Sequence, residues 1–166
     1  QGIMLPRVYT VEQVKDVANF MKYPPAGARG CATGRASNDF QRADVGEFME
    51  GFNRESMLIV QVETIEILEH LDEVAAIEAV DVLFVGPNDL SIAFGIPGQV
   101  NDARVTDACE KVMEACKKHG KTAGLQVNVA DDLAGWRERG MQMLSGGSEM
   151  GFLGAGARLF SAPLKG

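Results

Sequence analysis

Short apolar segments alternate with amphipathic helical patterns along the whole chain, and this alternation constrains the fold more than any other feature. Five segments have the length and composition of buried strands; they are residues 3–8, 57–62, 80–85, 123–127 and 141–144. The third is almost wholly apolar, which is typical of a strand covered on both faces in a parallel sheet. Strands that alternate with helices indicate an α/β fold with a parallel sheet.

The helical segments follow the 3.6-residue period of an amphipathic helix. They are expected over residues 11–21, 45–52, 65–75, 102–119, 130–139 and 149–160. Thr10 and Gln13 predict a capping box at the start of the first of these helices. Periodicity alone does not separate a doubly wound five-stranded sheet from part of a (β/α)₈ barrel. A complete barrel usually takes about 250 residues, more than the 166 of this chain.

Composition excludes several classes of partner. The formal charge of -7 argues against binding to nucleic acid or an anionic membrane surface, because both require a basic footprint. No apolar run approaches the length of a membrane span, and nothing at the start resembles a signal peptide. Three cysteines at unrelated spacings suit a reducing cytoplasm better than a disulfide framework. Cys109 and Cys116 share a helical stripe with Val105 and Val112, which predicts core residues rather than metal ligands.

Two polar segments stand at the ends of predicted strands: Gln61-Val62-Glu63-Thr64 closes the second, and Gly86-Pro87-Asn88-Asp89-Leu90-Ser91 closes the third. In parallel α/β folds, sites are built from the loops after the strands. Gln61 and Glu63 are two residues apart, so their side chains point to the same face of the strand. Neighbouring strands lie about 4.8 Å apart, so Glu63 and Asp89 could share one ion. Oxygen ligands of this kind suit Mg²⁺ or Mn²⁺, with water and substrate completing the coordination.

A structural interpretation of the same residues stays open at this point. Asp89 could cap a helical turn through Leu90 and Ser91, and Glu63 could serve the helix that begins at Ile65. The Gly86-Pro87 pair favours a binding site, since it forces a tight turn that can aim backbone N–H groups inward.

Three motifs together resemble a known family. Tyr23-Pro24-Pro25-Ala26-Gly27-Ala28-Arg29-Gly30 precedes the two polar segments, in the order and at about the spacing found in class II, metal-dependent 4-hydroxy-2-oxoacid aldolases. These enzymes belong to the HpcH/HpaI aldolase–citrate lyase family, within the phosphoenolpyruvate/pyruvate group of barrels. The resemblance covers essentially all of residues 1–166 and implies one α/β domain, the later part of a TIM barrel with strands four to eight.

The resemblance also implies roles for particular residues. Glu63 and Asp89 match the family's ligands for Mg²⁺ or Mn²⁺, and Gln61 matches a residue that contacts the pyruvate end of the substrate. Backbone N–H groups of Asn88 and Asp89 match those that hold the substrate carboxylate. The ion would chelate the 2-oxoacid and stabilise the enolate formed when the carbon–carbon bond breaks.

The acid–base half of the family's site has no match in the chain. The family's general-base histidine, its supporting aspartate and an enolate-stabilising arginine are expected before residue 1, because Gln1 matches the entry to the fourth barrel strand. His70 and His119 fall within and at the end of helices, and neither is expected to replace the base. By position, Arg7 and Arg29 are not expected to replace the arginine.

Three functional interpretations follow. The first is a metal-dependent aldolase that cleaves a 4-hydroxy-2-oxoacid to pyruvate and an aldehyde, or runs the reverse condensation. The second is a related lyase acting on citryl- or malyl-type thioesters, although the sequence has no basic loop suited to coenzyme A. The third is a truncated barrel that binds metal and 2-oxoacid, or serves in assembly, without catalysis. Open barrel edges predict a homo-oligomer in each interpretation.

Overall fold

The computed structural model of the protein describes residues 1–127 and 130–165. Its five strands form one parallel sheet: β1 (Gly2–Leu5), β2 (Met57–Val62), β3 (Val82–Val85), β4 (Thr122–Val127) and β5 (Met143–Gly146). Every neighbouring pair is parallel, and the order across the sheet is the order along the chain. A doubly wound sheet reverses its strand order at a switch point. This sheet winds in one direction, as the strands of a (β/α) barrel do.

The described residues include eight α-helices, several of which pack against one face of the sheet. They are α1 (Val11–Met21), α2 (Val45–Glu55), α3 (Ile65–Leu68), α4 (Leu71–Ala75), α5 (Pro87–Ala93), α6 (Ala103–His119), α7 (Ala130–Arg139) and α8 (Glu149–Ser161). The predicted capping box is present at α1: Thr10 Oγ1 accepts from the Gln13 N–H at 3.3 Å, and Gln13 Oε1 accepts from the Thr10 N–H at 3.1 Å.

The prediction of one continuous helix over residues 65–75 is wrong. Residues 65–75 form two short helices rather than one, because the chain leaves helical geometry at His70 (φ -119°, ψ 17°). The N–H groups of Glu69 and His70 bond three residues back, to Glu66 and Ile67, which tightens the end of α3. The chain then restarts as α4 with its apolar side still facing the core.

Strand ends shift for identifiable reasons. β1 stops at Leu5 rather than residue 8, because Pro6 has no N–H and Arg7 adopts a positive φ of 51°. β5 begins at Met143 rather than residue 141, because the Met141 N–H still bonds to Trp136 at the end of α7.

The two faces of the sheet have different partners. In β2, Leu58, Val60 and Val62 join the main core between the sheet and the helices. The opposite face carries a smaller cluster formed by Ile59, Val82 and Phe84, with Met143 packed against it. Side chains alternate along a strand, so Gln61 and the following Glu63 belong to this second, inner face.

Both cysteines of α6 are core residues, as predicted. Cys109 and Cys116 are buried, and burial raises the pKa of their thiols to about 12 and about 11, respectively. Neither thiol is therefore available as a thiolate at neutral pH. Cys31 is half-buried, and all three cysteines are free. The cytoplasmic location stays a prediction.

Helix α8 presents an apolar surface that is not covered. Its large apolar side chains are 66% to 87% exposed; they are Met150, Phe152, Leu153, Leu159 and Phe160. Large apolar side chains exposed in this number on one helix indicate a contact site more often than a solvated face. No helix in the described ranges is long and apolar enough to cross a bilayer.

Candidate functional site

The ends of β2 and β3 bring Glu63 and Asp89 to one cleft, as the sequence predicts. The two strands are direct neighbours, with Val62 opposite Val85. The cleft beyond them has a volume of about 250 Å³. Its polar lining consists of Arg7, Tyr9, Glu63, Thr64, Glu66 and Asp89. Three carboxylates, those of Glu63, Glu66 and Asp89, thus line one small volume at the edge of the sheet where α/β proteins place their sites.

Glu63 is held by groups from two other segments. Its side chain is buried, and Oε1 accepts a hydrogen bond from the Arg7 backbone N–H at 2.7 Å. On the other side, a Cβ atom at Gly86 would lie 2.7 Å from Glu63 Oε2, so glycine leaves the room that the carboxylate occupies. The cap of α3 is Thr64, and the Glu63 carboxylate bonds to Arg7 instead. The interpretation of Glu63 as a residue serving that helix is therefore wrong.

Asp89 lies in the first turn of α5, where Gly86 is the N-cap and Pro87 the first helical residue. The helical interpretation is thus correct in part, although Asp89 is not the cap. A carboxylate is favourable at this end of a helix, and it still lines the cleft. The N–H groups of Asn88 and Asp89 belong to the first turn and have no partner within the helix.

Buried Ser91 fixes the segment around Asp89. Its hydroxyl donates to the Asn88 carbonyl at 2.6 Å and accepts from the Gly98 N–H at 3.0 Å. These two bonds tie the first turn of α5 to the loop that follows the helix. The backbone near Asp89 is therefore positioned before any ligand binds.

Gln61 lies on the inner face of β2, opposite Phe84 of β3, and is half-buried. It shares its strand face with Glu63, as predicted, but it does not belong to the lining of the cleft. Its contact with substrate stays a prediction.

Arg7 is the residue whose place the sequence analysis missed. It lines the cleft together with both carboxylates, and its Nη2 donates to the Tyr9 hydroxyl at 2.7 Å. The hydrogen bond to Tyr9 raises the pKa of its guanidinium, and the charges of Asp89 and Glu63 add to that rise. The strand order could have predicted this position, because the residues after β1 reach the same sheet edge as those after β2 and β3.

The other candidate side chains lie away from the cleft. His70 Nδ1 lies 2.8 Å from Glu73 Oε1, and His119 Nε2 lies 2.8 Å from Asp72 Oδ1. Hydrogen bonds from Lys118 and His119 lower the pKa of the Asp72 carboxyl group. His70 therefore has its partner on α4, which it precedes, and His119 of α6 has its partner on the neighbouring α4.

Arg29 packs against aromatic rings and does not line the cleft. Its guanidinium carbon lies 5.0 Å from the Tyr23 ring centroid and 4.5 Å from that of Phe52. This cation–π contact fixes the Tyr23–Gly30 motif against α2. The motif therefore has a packing role in the structure.

Any metal at the cleft would take few ligands from the protein. Among the residues whose side chains the structure describes, no three His, Cys, Asp or Glu side chains come together as a metal-binding group. The two predicted ligands in the lining, Glu63 and Asp89, offer oxygen atoms only. This donor set fits Mg²⁺, which usually keeps several waters and binds one or two carboxylates.

Comparisons with known proteins agree with the motifs. The chain is 32% identical to 5-keto-4-deoxy-D-glucarate aldolase of Enterobacter sp. (strain 638) over 150 residues, 90% of this chain and 58% of the relative. It is 32% identical to hydroxypyruvate/pyruvate aldolase of Roseovarius nubinhibens over 160 residues, 95% of this chain and 61% of the relative. The chain thus spans about three fifths of the length of these relatives.

Solved structures give the same picture. The HpcH/HpaI aldolase from Desulfitobacterium hafniense superposes with a TM-score of 0.91 at 30% identity, over 99% of this chain and 63% of that one. The citrate synthase SbnG superposes with a TM-score of 0.79 at 29% identity, over 99% and 61%. The five-stranded parallel sheet is accordingly a partial barrel of the type found in these proteins. Residues 1–154 match the family described as HpcH/HpaI aldolase/citrate lyase, and the chain belongs to that family.

Proposed function

We propose that residues 1–166 form one α/β domain with strands four to eight of a (β/α)₈ barrel, and that it carries the metal-binding half of a class II pyruvate aldolase site. The observation that carries this proposal is the cleft shared by Glu63 and Asp89, at the ends of adjacent strands. Family membership supports it, since the relatives named above are aldolases.

The proposed reaction of the whole enzyme is aldol cleavage of a 4-hydroxy-2-oxoacid to pyruvate and an aldehyde, or the reverse condensation. Glu63 and Asp89 would hold Mg²⁺ or Mn²⁺. A divalent ion supplies Lewis-acid polarisation of the 2-oxoacid carbonyl when bound. The N–H groups of Asn88 and Asp89 would hold the substrate carboxylate, and Gln61 would contact the pyruvate end from the inner face of β2.

Two further functions remain as candidates. A citryl- or malyl-thioester lyase is supported by the breadth of the family, which includes citrate lyases. The cleft opposes it, because Arg7 is the one basic side chain that the described residues contribute to its lining, and coenzyme A carries several phosphates. A binding or assembly module without catalysis is supported by the position of both histidines away from the cleft.

The proposed site predicts that oxalate, a planar mimic of the pyruvate enolate, stabilises the chain only when Mg²⁺ or Mn²⁺ is present. A bound ligand stabilises the folded state by RT ln(1 + [L]/Kd), about 2.7 kcal/mol at a hundredfold excess over Kd. Thermal melts with metal alone, oxalate alone and both together measure this effect. The matched control is Glu63→Gln, which keeps the side-chain size and removes the charge.

A rise in Tm with both ligands, lost in Glu63→Gln, is the expected result. No joint effect at millimolar oxalate would contradict the proposed site and leave an inert domain. A joint effect that persists in Glu63→Gln would place the ligands elsewhere on the chain.

We further propose that the chain associates with itself through the apolar surface of α8 defined above. Phe152 and Phe160 are 66% and 87% exposed on a helix that ends the described chain apart from one short 3₁₀ turn. A second copy would bury these rings, and apolar burial drives association. Light scattering behind size-exclusion chromatography is expected to give a dimer or larger species, and Phe152→Ser with Phe160→Ser is expected to shift it to monomer. A monomer in the unsubstituted chain at micromolar concentration would refute the proposal.

A further inference from the structure

A second cleft lies at the other edge of the sheet, where the strands begin rather than end. It has a volume of about 410 Å³ and includes the first residues of β4, Thr122 and Ala123, in its lining. Because all five strands are parallel, this edge is opposite the one that carries Glu63 and Asp89. The proposed aldolase chemistry therefore does not use this second cleft.

Three cations and no carboxylate line the second cleft in the described part of the chain. Lys117 comes from the last turn of α6, Lys121 follows that helix, and Arg139 is the last residue of α7. The whole chain has 23 acidic and 16 basic residues, so a lining with bases and no acid departs from the general composition. We call it the basic cleft.

Helix ends account for only part of this charge. α6 and α7 both end at the basic cleft, and basic side chains are favourable in the last turn of any helix. Each helix end carries roughly half a negative charge, so the two ends together offset about one of the three cations. About two positive charges therefore remain for a ligand.

Carboxylates of the described residues do not neutralise these cations. No salt bridge within 4.0 Å joins Lys117, Lys121 or Arg139 to an acidic side chain in that part of the chain. By contrast, the neighbouring Lys118 donates to both carboxylate oxygens of Asp72, at 2.7 and 2.9 Å. The unbalanced charge thus belongs to the basic cleft and not to the end of α6 in general.

Two of the three cations are held in place by uncharged groups. Lys121 Nζ donates to the Glu78 backbone carbonyl at 3.1 Å, which leaves two of its three N–H groups for a ligand. The Arg139 guanidinium carbon lies over the Trp136 ring, 4.9 Å from its centroid. This contact uses the face of the guanidinium, so the N–H groups at its edge stay available. Side chains that are ordered before binding lose less entropy when a ligand binds.

The charge and the donors indicate the chemical class of the ligand. A phosphate monoester presents three oxygens and carries about -1.5 to -2 charges at neutral pH, which matches the charge left over. A monocarboxylate has one negative charge and would leave one cation unbalanced. The volume of about 410 Å³ lies within the roughly 300–1,000 Å³ of small-molecule sites, so an organic group fits beside the phosphate.

We propose that the basic cleft binds the phosphate group of a small phosphate monoester through Lys117, Lys121 and Arg139. Gln142 and Met113 also line the cleft and would contact the organic part. The site needs no divalent ion, so it is independent of the proposed aldolase function. Nucleic acid is excluded as the source of the phosphate, because the chain as a whole carries a charge of -7.

Calorimetric titrations without divalent metal test this proposal. Glycerol 3-phosphate, inorganic phosphate and malonate are compared at about pH 8, where each phosphate is largely a dianion. An ionic strength of about 0.1 M limits the contribution of distant charges. Glycerol 3-phosphate is expected to bind saturably and more tightly than inorganic phosphate. Malonate, a dianion without a tetrahedral group, is expected to bind at least about threefold more weakly than glycerol 3-phosphate.

Variants assign the binding to the basic cleft. Lys117→Met and Arg139→Met each remove an exposed cation, and each is expected to weaken glycerol 3-phosphate binding about three- to fivefold, the upper part of the range for exposed charge pairs. Lys117→Arg is expected to retain most of the affinity, because it keeps the charge. Lys118→Met is the matched control: it removes the same charge from the same turn of α6, but Lys118 bonds to Asp72. It is expected to change the affinity less than about twofold.

The outcomes decide between a site and a general attraction of charge. Saturable binding that weakens in Lys117→Met and Arg139→Met, and persists in Lys118→Met, supports the proposal. No saturable binding of either phosphate at millimolar concentration overturns it. Malonate binding as tight as that of glycerol 3-phosphate also overturns it, as does an equal loss of affinity in Lys118→Met. Each result stands whatever the melts with oxalate and metal show, because no metal is present.

Discussion

Replacing Glu63 with Gln, or Asp89 with Asn, is expected to lower the affinity of the chain for Mn²⁺ at least about hundredfold. Changes to residues that only support metal ligands typically cost about 10- to 100-fold in affinity. Loss of a charged ligand should cost no less, and the proposed site has only two, Glu63 and Asp89. With either of them removed, one proposed charged ligand would remain, and solvent water would compete for the rest of the coordination.

The amide substitutions separate loss of the ligand from loss of the fold. The Glu63 carboxylate accepts the Arg7 N–H at 2.7 Å in a buried position, so truncation to Ala would leave that donor without its partner. A Gln side chain has the same length as Glu and retains an oxygen that can accept the hydrogen bond from the Arg7 N–H. Calorimetric titration with Mn²⁺ measures affinity, and urea unfolding of the same samples reports whether the free energy of unfolding has changed.

Two further variants show whether the effect belongs to this pair. Glu66→Gln removes a carboxylate that lines the same cleft from an exposed position, and it is expected to change Mn²⁺ affinity less than threefold, roughly the scale of exposed charge effects. Gly86→Ala keeps every carboxylate but puts a Cβ 2.7 Å from Glu63 Oε2, so it is expected to weaken binding. Unchanged Mn²⁺ affinity in both Glu63→Gln and Asp89→Asn would remove the basis of the metal site.

Parts of this structure could be predicted because the decisive interactions are local. Strand β2 has the bounds that its apolar run predicts, and the Thr10 capping box forms within four residues of sequence. The cleft was predictable for a different reason: consecutive parallel strands joined by a helical connection become neighbours, so Glu63 and Asp89 reach the same sheet edge. The strand order therefore predicts that these two side chains lie together, which their residue types alone do not indicate.

Other features depend on contacts that the sequence pattern does not reveal. Residues 80 and 81 belong to an apolar run, yet β3 begins at Val82, because the Asp81 side chain takes over the pairing and accepts from the Leu58 N–H at 2.8 Å. Arg7 supports Glu63 through its backbone N–H and a positive φ of 51°. Neither a main-chain bond between segments 56 residues apart nor a left-handed backbone at arginine is visible in side-chain periodicity.

Whether a site residue could be predicted from the sequence depends on which part of the fold carries it. Strand ends deliver the two carboxylates, and a local segment, Gly86 to Ser91, supplies the backbone around Asp89. The loop after β1 adds Arg7 and Tyr9, whose importance arises only from tertiary placement. The sequence therefore predicts the metal-binding part of the proposed site but not the placement of Arg7 and Tyr9 beside it.

The 166-residue chain is expected to release pyruvate from a 4-hydroxy-2-oxoacid at least about hundredfold more slowly than the hydroxypyruvate/pyruvate aldolase of Roseovarius nubinhibens under the same conditions. General acid–base assistance is typically worth about 10²- to 10⁴-fold, and neither histidine of this chain lines the cleft. A coupled assay with lactate dehydrogenase follows pyruvate, with protein-free Mn²⁺ and Asp89→Asn as the two baselines.

A rate above both baselines yet far below that of the relative is the expected result, because binding and charge at the cleft would survive without a base. A rate equal to that of the relative, and lost in Asp89→Asn, would contradict the expectation and mean that a residue of this cleft moves the proton. Tyr9 and Glu66 are then the side chains to test, since both line the cleft and can exchange a proton with a bound substrate. A Tyr9→Phe variant with unchanged rate would leave Glu66, which a Glu66→Gln variant resolves.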